Sequence, residues 1–185
     1  MRSGEDEARS PKYAHLERER RWLIDPQQRP ALDALPYVLI EDRYIDATRL
    51  RLRRMTDSAS DASVFKLTKK YEAVDPLARP IVTAYLTDTE FAVFSALPAR
   101  CLSKRRYKIE ENGHEFSLDQ FEDVLKGLEL LEIESPTDDL LGHIGAPQWA
   151  IREVSHDPRF QGGALVELDP DGLDALLVSA RALAS

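Results

Sequence analysis

Leu16-Glu17-Arg18-Glu19-Arg20-Arg21-Trp22-Leu23 is the stretch on which the fold turns. Read as a strand, its side chains alternate between two faces, so Glu17, Glu19 and Arg21 share one side. Two carboxylates and a guanidinium are then aimed at one place. A single strip of this kind is also what a solvated strand face looks like. Its meaning depends on whether other strands supply partners for it.

Working outward, four more segments alternate in the same way, and their charges are sorted by sign. Over 48–55, Arg49, Arg51 and Arg53 fall on one face and Leu50 and Leu52 on the other, the period-2 signature of a strand. Over 64–70, Lys66, Thr68 and Lys70 oppose Phe65 and Leu67. Over 99–109, Lys104, Arg106 and Lys108 share one parity. Over 128–135, Glu132 and Glu134 oppose Leu131 and Ile133. Two acidic strips and three basic ones, each backed by apolar residues, describe one continuous charged surface over a core. Arg53 and Lys108 lie at strand margins and read equally well as surface residues.

The remaining segments supply the scaffold. Residues 37–45 form a β-rich run, and 81–86 (IVTAYL) a strand without charges that offers Thr83 and Tyr85. Thr87 with Glu90 three residues on predicts a helix start, running to about residue 97 and stopped by Pro98. Asn112-Gly113 marks a hairpin, with a return strand over 115–121 that carries Asp119. Residues 31–35 read as a short helical turn, 149–154 as a short further element, and 156–163 as a packed surface loop, with a plug for one end of a closed sheet as the alternative role of Arg159 and Phe160. Asp169-Pro170 opens a final helix to about residue 183, with Leu173, Leu176, Leu177 and Ala180 on its apolar face.

Whole-chain properties narrow the function classes. With 185 residues, 43% hydrophobic and 31% charged, the chain is a globular one, read as a polar lead-in over 1–13 and one domain over 14–185. A net charge of −8 argues against general nucleic-acid binding, though it leaves room for a local basic pocket. The single cysteine, Cys101, excludes an intrachain disulfide and a cysteine metal site. No apolar run approaches a membrane span, and the polar first residues are unlike a secretory signal, so the expected location is cytoplasmic. His15, His114, His143 and His156 show no metal-ligand spacing.

If the sheet closes into a barrel, alternation puts the sorted charges in the lumen. Burying so many cations is costly unless anions or metal neutralise them. Arginine forks and lysine point charges suit phosphoryl oxygens. Four glutamates suit a hard divalent cation, Mg²⁺ or Mn²⁺. The residues themselves therefore predict a metal-dependent site for a polyphosphate compound.

In order and spacing these motifs resemble those of the CYTH superfamily, the triphosphate tunnel metalloenzymes. Glu17-x-Glu19-x-Arg21 resembles its E-x-E-x-K signature, Arg49-x-Arg51 its R-x-R strand and Leu67-Thr68-Lys69-Lys70 its L-T-x-K strand. Lys104-x-Arg106 resembles its K-x-R strand and Glu132-x-Glu134 its closing E-x-E. The resemblance runs from about residue 14 onward. It implies an α+β fold, an antiparallel eight-stranded β-barrel forming a tunnel, with flanking helices. It implies metal on Glu17, Glu19, Glu132 and Glu134, and phosphate on Arg21, Arg49, Arg51, Lys66, Lys70, Lys104 and Arg106, with Tyr85 a further substrate contact. Family activities include inorganic triphosphatase, thiamine triphosphatase, RNA 5′-triphosphatase and class IV adenylate cyclase. The expectation is hydrolysis of inorganic triphosphate, or of a related polyphosphate or organic triphosphate, by a water beside Glu17 and Glu19. The alternatives are a non-catalytic polyphosphate- or nucleotide-binding module and an adenylate cyclase. An oligomer is compatible with each. Two positions depart from the family pattern: Arg21 stands where it has lysine and cannot act as a base, and Thr83 and Tyr85 stand where many members carry a carboxylate pair.

Overall fold

The computed structural model describes residues 12–71, 73, 75 and 77–182, so the expected lead-in lies outside the described residues as far as residue 11. In chain order the elements are β1 (His15–Ile24), β2 (Tyr37–Ile45), β3 (Leu50–Asp57), β4 (Ser63–Lys70), β5 (Ala78–Leu86), α1 (Asp88–Ser95), β6 (Ala99–Glu111), β7 (His114–Phe121), β8 (Glu129–Glu134), α2 (Asp138–His143), β9 (Ala150–Glu153), α3 (Gly162–Leu165) and α4 (Pro170–Ala182). The strand order is β5-β4-β3-β2-β6-β7-β8-β1-β9, every described pairing is antiparallel, and β5 returns to pair with β1. Eight strands therefore close into a barrel, which removes the sheet edges.

The closing seam is shared along its length. The first half of β1 pairs with β5, with Glu17 opposite Arg79. The second half leaves β5 and pairs with β9, with Trp22 opposite Glu153. The barrel thus splays at one end, and the chain that follows β9 enters there.

Local sequence explains the connections. The β6–β7 hairpin turns on Asn112 and Gly113, both at positive φ (53° and 78°), the backbone that a tight antiparallel hairpin prefers. Thr87 caps α1 in a reciprocal box with Glu90, as the sequence predicts. Asp169 accepts from the Gly172 amide at 2.8 Å and caps α4. On α4, Leu173, Leu176 and Ala180 are buried and Leu177 is half-buried. Residues 31–35 form turns rather than a helical turn, and the short helix α2 was not foreseen.

Two apolar cores flank the barrel wall. On its outer face Trp22, Tyr107, Phe116, Leu118, Leu131 and Ile133 pack under Leu141, Ile144 and Trp149. At the splayed end Leu23, Leu102, Phe121 and Leu130 pack against Phe160, Leu165 and the buried face of α4. Of the two readings of 156–163, the surface loop is corrected and the plug holds for Phe160 but not for Arg159. Phe160 is fully buried, while Arg159 turns outward to Asp157 and Ser179. The apolar end of the lumen can exclude water only if a bulky side chain fills it, and Phe160 is that side chain.

Candidate functional site: a charged tunnel

The lumen-facing parity of the strands builds one cavity of about 540 Å³. Among the described residues eight cationic side chains line it (Arg21, Arg49, Arg51, Arg53, Lys70, Arg79, Lys104, Arg106) against five carboxylates (Glu17, Glu19, Asp42, Glu132, Glu134). A chain with net charge −8 therefore encloses a positively charged hole.

Most of these cations are held by internal carboxylates. Asp42 on β2 takes Arg53 through Nε and Nη2, with Arg51 Nε at 3.7 Å. Asp119 on β7 takes Arg106 at 2.6 Å through both Nε and Nη2, and also takes Lys104. Glu17 takes Lys70 at 2.6 Å. Arg21 Nη2 lies 2.9 Å from Glu19 and 2.8 Å from Glu132, and Glu132 also meets Arg106. Arg21 donates through Nη1 to the Phe160 carbonyl at 2.9 Å. It therefore ties the acidic strips to the chain segment closing the tunnel end. The buried Nε atoms of Arg21 and Arg51 have no hydrogen-bond partner.

These contacts set the protonation states. Burial pushes the Glu132 carboxyl up, but Arg21, Arg106 and Lys104 outweigh it and hold it well below the ordinary carboxylate range. For Glu17, burial is likewise outweighed by Lys70 and Arg51, leaving the carboxyl lowered. Asp42 is lowered by Arg53 and Arg51 against its own burial. Lys104 goes the other way: burial lowers its ammonium despite Asp119 and Glu132. Glu134 is raised, first by burial and then by Glu17, Glu19 and Glu132.

Glu17, Glu19 and Glu134 present carboxylate oxygens within 4.8 Å of one another. Glu134 forms no ion pair with any described cation, and its raised pKa records three anions crowded together. An all-oxygen donor set in which Lys70 and Arg21 pair Glu17 and Glu19 and Glu134 keeps its charge unpaired fits a hard divalent cation. The fourth expected ligand, Glu132, is drawn out of this group by Arg21 and Arg106.

Arg49, Arg51, Lys70, Lys104 and Arg106 lie in the cavity lining, as the strips predict. Lys66 and Tyr85 do not: Lys66 Nζ sits 5.1 Å from the centroid of the exposed Tyr85 ring, away from the cavity. Thr83 bonds Thr68 at 3.0 Å on the same face. Lys108 is exposed on Glu115. Sequence reading missed Asp42, Arg79, Tyr44 and Gln161. Asp42 carries a legible signal, since it shares its parity with Ile40 and Tyr44 in an otherwise apolar run. Arg79 lies in β5 before the segment read as a strand.

The closed antiparallel eight-stranded tunnel, with acid and base sorted in its lumen, is the fold that the sequence resemblance implies, and solved structures share it. Two solved structures of the protein NE1496, one of them named inorganic triphosphatase NE1496, align with a TM-score of 0.55 and 24% identity, over 83% of this chain and 99% and 96% of theirs. The inorganic triphosphatase of Acetivibrio thermocellus is 35% identical over 66 residues, 36% of this chain. The matched span is 41% of the length of that relative. No protein-family model matches the chain. No described helix is long and apolar enough to cross a membrane.

Proposed function

We propose that this protein hydrolyses inorganic triphosphate, or a related linear polyphosphate or organic triphosphate, inside the tunnel with the help of Mg²⁺ or Mn²⁺. The observation that carries the proposal is the facing of the Glu17, Glu19 and Glu134 trio by a basic wall inside one cavity. The likeness to two proteins named as inorganic triphosphatases supports it.

Glu17, Glu19 and Glu134 would hold the cation, whose chemistry is to neutralise phosphoryl oxygens and lower the pKa of a bound water. Arg51, Lys70, Lys104 and Arg106, with Arg49, take the non-bridging oxygens and absorb charge developing at the bridging oxygen that leaves. Water attacks a terminal phosphorus atom, the P–O bond to the bridging oxygen breaks with its electron pair leaving on pyrophosphate, and the water's proton passes to solvent. Phosphate and pyrophosphate result from inorganic triphosphate. Glu17 and Glu132 stay ionised because the cations around them lower their pKa values, so they orient rather than accept. Arg21 stays charged and positions Glu19 and Glu132.

The unit proposed for this work is one tunnel domain from residue 14 onward, in a cytoplasmic setting suited to an acidic chain with one cysteine. The test is to incubate the protein with inorganic triphosphate, ATP and thiamine triphosphate with Mg²⁺ or Mn²⁺, and to measure phosphate, pyrophosphate and cyclic AMP. Phosphate with pyrophosphate from inorganic triphosphate supports the proposal. Binding without turnover marks a non-catalytic module. Cyclic AMP with pyrophosphate from ATP marks a cyclase.

A further inference from the structure

Arg79 differs from the paired cations of the lumen. Lys70, Arg53, Lys104, Arg106 and Arg21 each sit within 2.9 Å of a carboxylate oxygen. Arg79 lines the same cavity, and its strand neighbour across the seam is Glu17, yet it forms no ion pair with that carboxylate or with any other described one. Its Nη1 donates to the side-chain carbonyl of Gln161 at 2.7 Å, a neutral partner. Gln161 belongs to the segment that closes the splayed end. Its neighbours there are the buried Phe160 and Gly162, which lies so close to Tyr44 that any Cβ would strike the tyrosine hydroxyl. The amide is thus delivered by a segment packed on both sides.

A guanidinium facing a cavity and opposed, among the described residues, by an amide dipole alone keeps most of its charge available. A phosphoryl oxygen is a stronger acceptor for it than an amide, because the resulting bonds are charge-assisted and can be bidentate. The carboxylates that pair Lys70, Arg53, Lys104, Arg106 and Arg21 must be displaced or shared before those cations reach phosphate. Arg79 needs only to exchange one neutral bond.

We propose that Arg79 is a substrate-binding residue of the tunnel, held ready by Gln161 and taking a phosphoryl group of the bound triphosphate in place of that amide. The proposal rests on the triphosphate reading above. Because Gln161 and Phe160 close the cavity on this side, Arg79 reads the end of the phosphate chain that points toward the splayed end.

The test is equilibrium binding of inorganic triphosphate in EDTA, where the proposed hydrolysis is absent, on wild type, Arg79→Gln, Arg79→Lys and Gln161→Glu. Loss of a charge-assisted bond weakens binding about tenfold or more in Arg79→Gln. Arg79→Lys recovers part of it. Gln161→Glu gives Arg79 an internal carboxylate and weakens binding with the arginine still present, which keeps the proposal testable if Arg79→Gln does not fold. In the double variant Gln161→Glu costs less than it does alone, since there is no longer a guanidinium to mask. Wild-type affinity in a folded Arg79→Gln, or additive effects in the double variant, overturns the role of Arg79 while leaving the hydrolysis assay standing. A wild-type protein that binds no triphosphate, with or without Mg²⁺, overturns both.

Discussion

Arg53 and Asp42 form a two-point pair inside the tunnel wall, Nε to Oδ1 at 2.6 Å and Nη2 to Oδ2 at 2.7 Å, with the carboxylate only 1% exposed. Asp42 belongs to none of the acidic strips, yet it neutralises the centre of the Arg51/Arg53 strip. Removing one member of a buried pair leaves the other charge uncompensated, which typically costs about 3–5 kcal/mol. Asp42→Ala is therefore expected to lower the unfolding free energy by about that much. Replacing both Asp42 and Arg53 with apolar residues is expected to recover much of the loss. Urea unfolding of the three proteins checks this, and equal stability of the single and double variants would contradict it.

The carboxylate pairs also fix an acid dependence, and its sign follows from the direction of each shift. Asp42, Glu17 and Glu132 are all lowered in the folded state by the cations beside them, against burial. Their contribution to stability is complete above the unfolded carboxylate range, about pH 4, and is lost as pH falls through their folded pKa values. The urea midpoint is expected to drop steadily from about pH 5 downward, and to drop less steeply in Asp42→Asn. A midpoint flat between pH 5 and pH 3 would show that the pairs do not form.

Glu134 has the opposite sign, because burial and three neighbouring carboxylates raise it. Its ionisation costs the metal-free protein stability once pH rises above the ordinary glutamate range. Glu134→Gln is therefore expected to raise the metal-free Tm slightly, by about 1–2 °C at neutral pH. The same substitution removes one ligand of the proposed cation site, so the Tm increase produced by Mn²⁺ in the wild type should shrink or vanish. Glu132→Gln, by contrast, breaks the pairs with Arg21 and Arg106 and should lower the metal-free Tm. Equal metal-induced shifts in wild type and Glu134→Gln would remove Glu134 from the metal set.

Strand pattern carried the barrel, and the turns carried its connections. Alternation in β1, β3, β4, β6 and β8 placed the charged faces correctly because a period of two leaves little choice once the opposite face is apolar. Pattern could not tell how far along the lumen each residue sits. Lys66 and Lys70 share a parity, but only Lys70 reaches the cavity, while Lys66 lies opposite Tyr85 on β5 with its ammonium on the exposed ring. Nor could pattern reveal which strands lie side by side and pair their charges. Glu132 reads as a twin of Glu134, yet Arg21 stands opposite it on β1 and claims it. The closure of the splayed end was the least legible part. It is built from the irregular segment after β9, where Phe160, Gln161 and Gly162 have no periodicity and are placed by tertiary contacts alone.

Phe160 gives the last test, because it separates a structural closure from a loosely attached surface loop. Its ring is fully buried among Leu23, Leu102, Phe121 and Leu130 of the barrel and Leu165, Leu173 and Leu176 of the helices. Its carbonyl accepts from Arg21 at 2.9 Å, so backbone and side chain anchor the same point. Truncating a buried phenylalanine removes its transfer free energy and leaves a cavity, a combined cost of about 3–5 kcal/mol. Phe160→Ala is expected to lose that much stability in urea. It is also expected to speed amide exchange in the segment from Ser155 to Leu165, while exchange in the β6–β7 hairpin follows only the global change. Phe160→Leu, which keeps most of the apolar volume, should lose less than half as much. If Phe160→Ala unfolds like the wild type, the ring does not fill the end of the tunnel, and the anchoring of Gln161 against Arg79 loses its support.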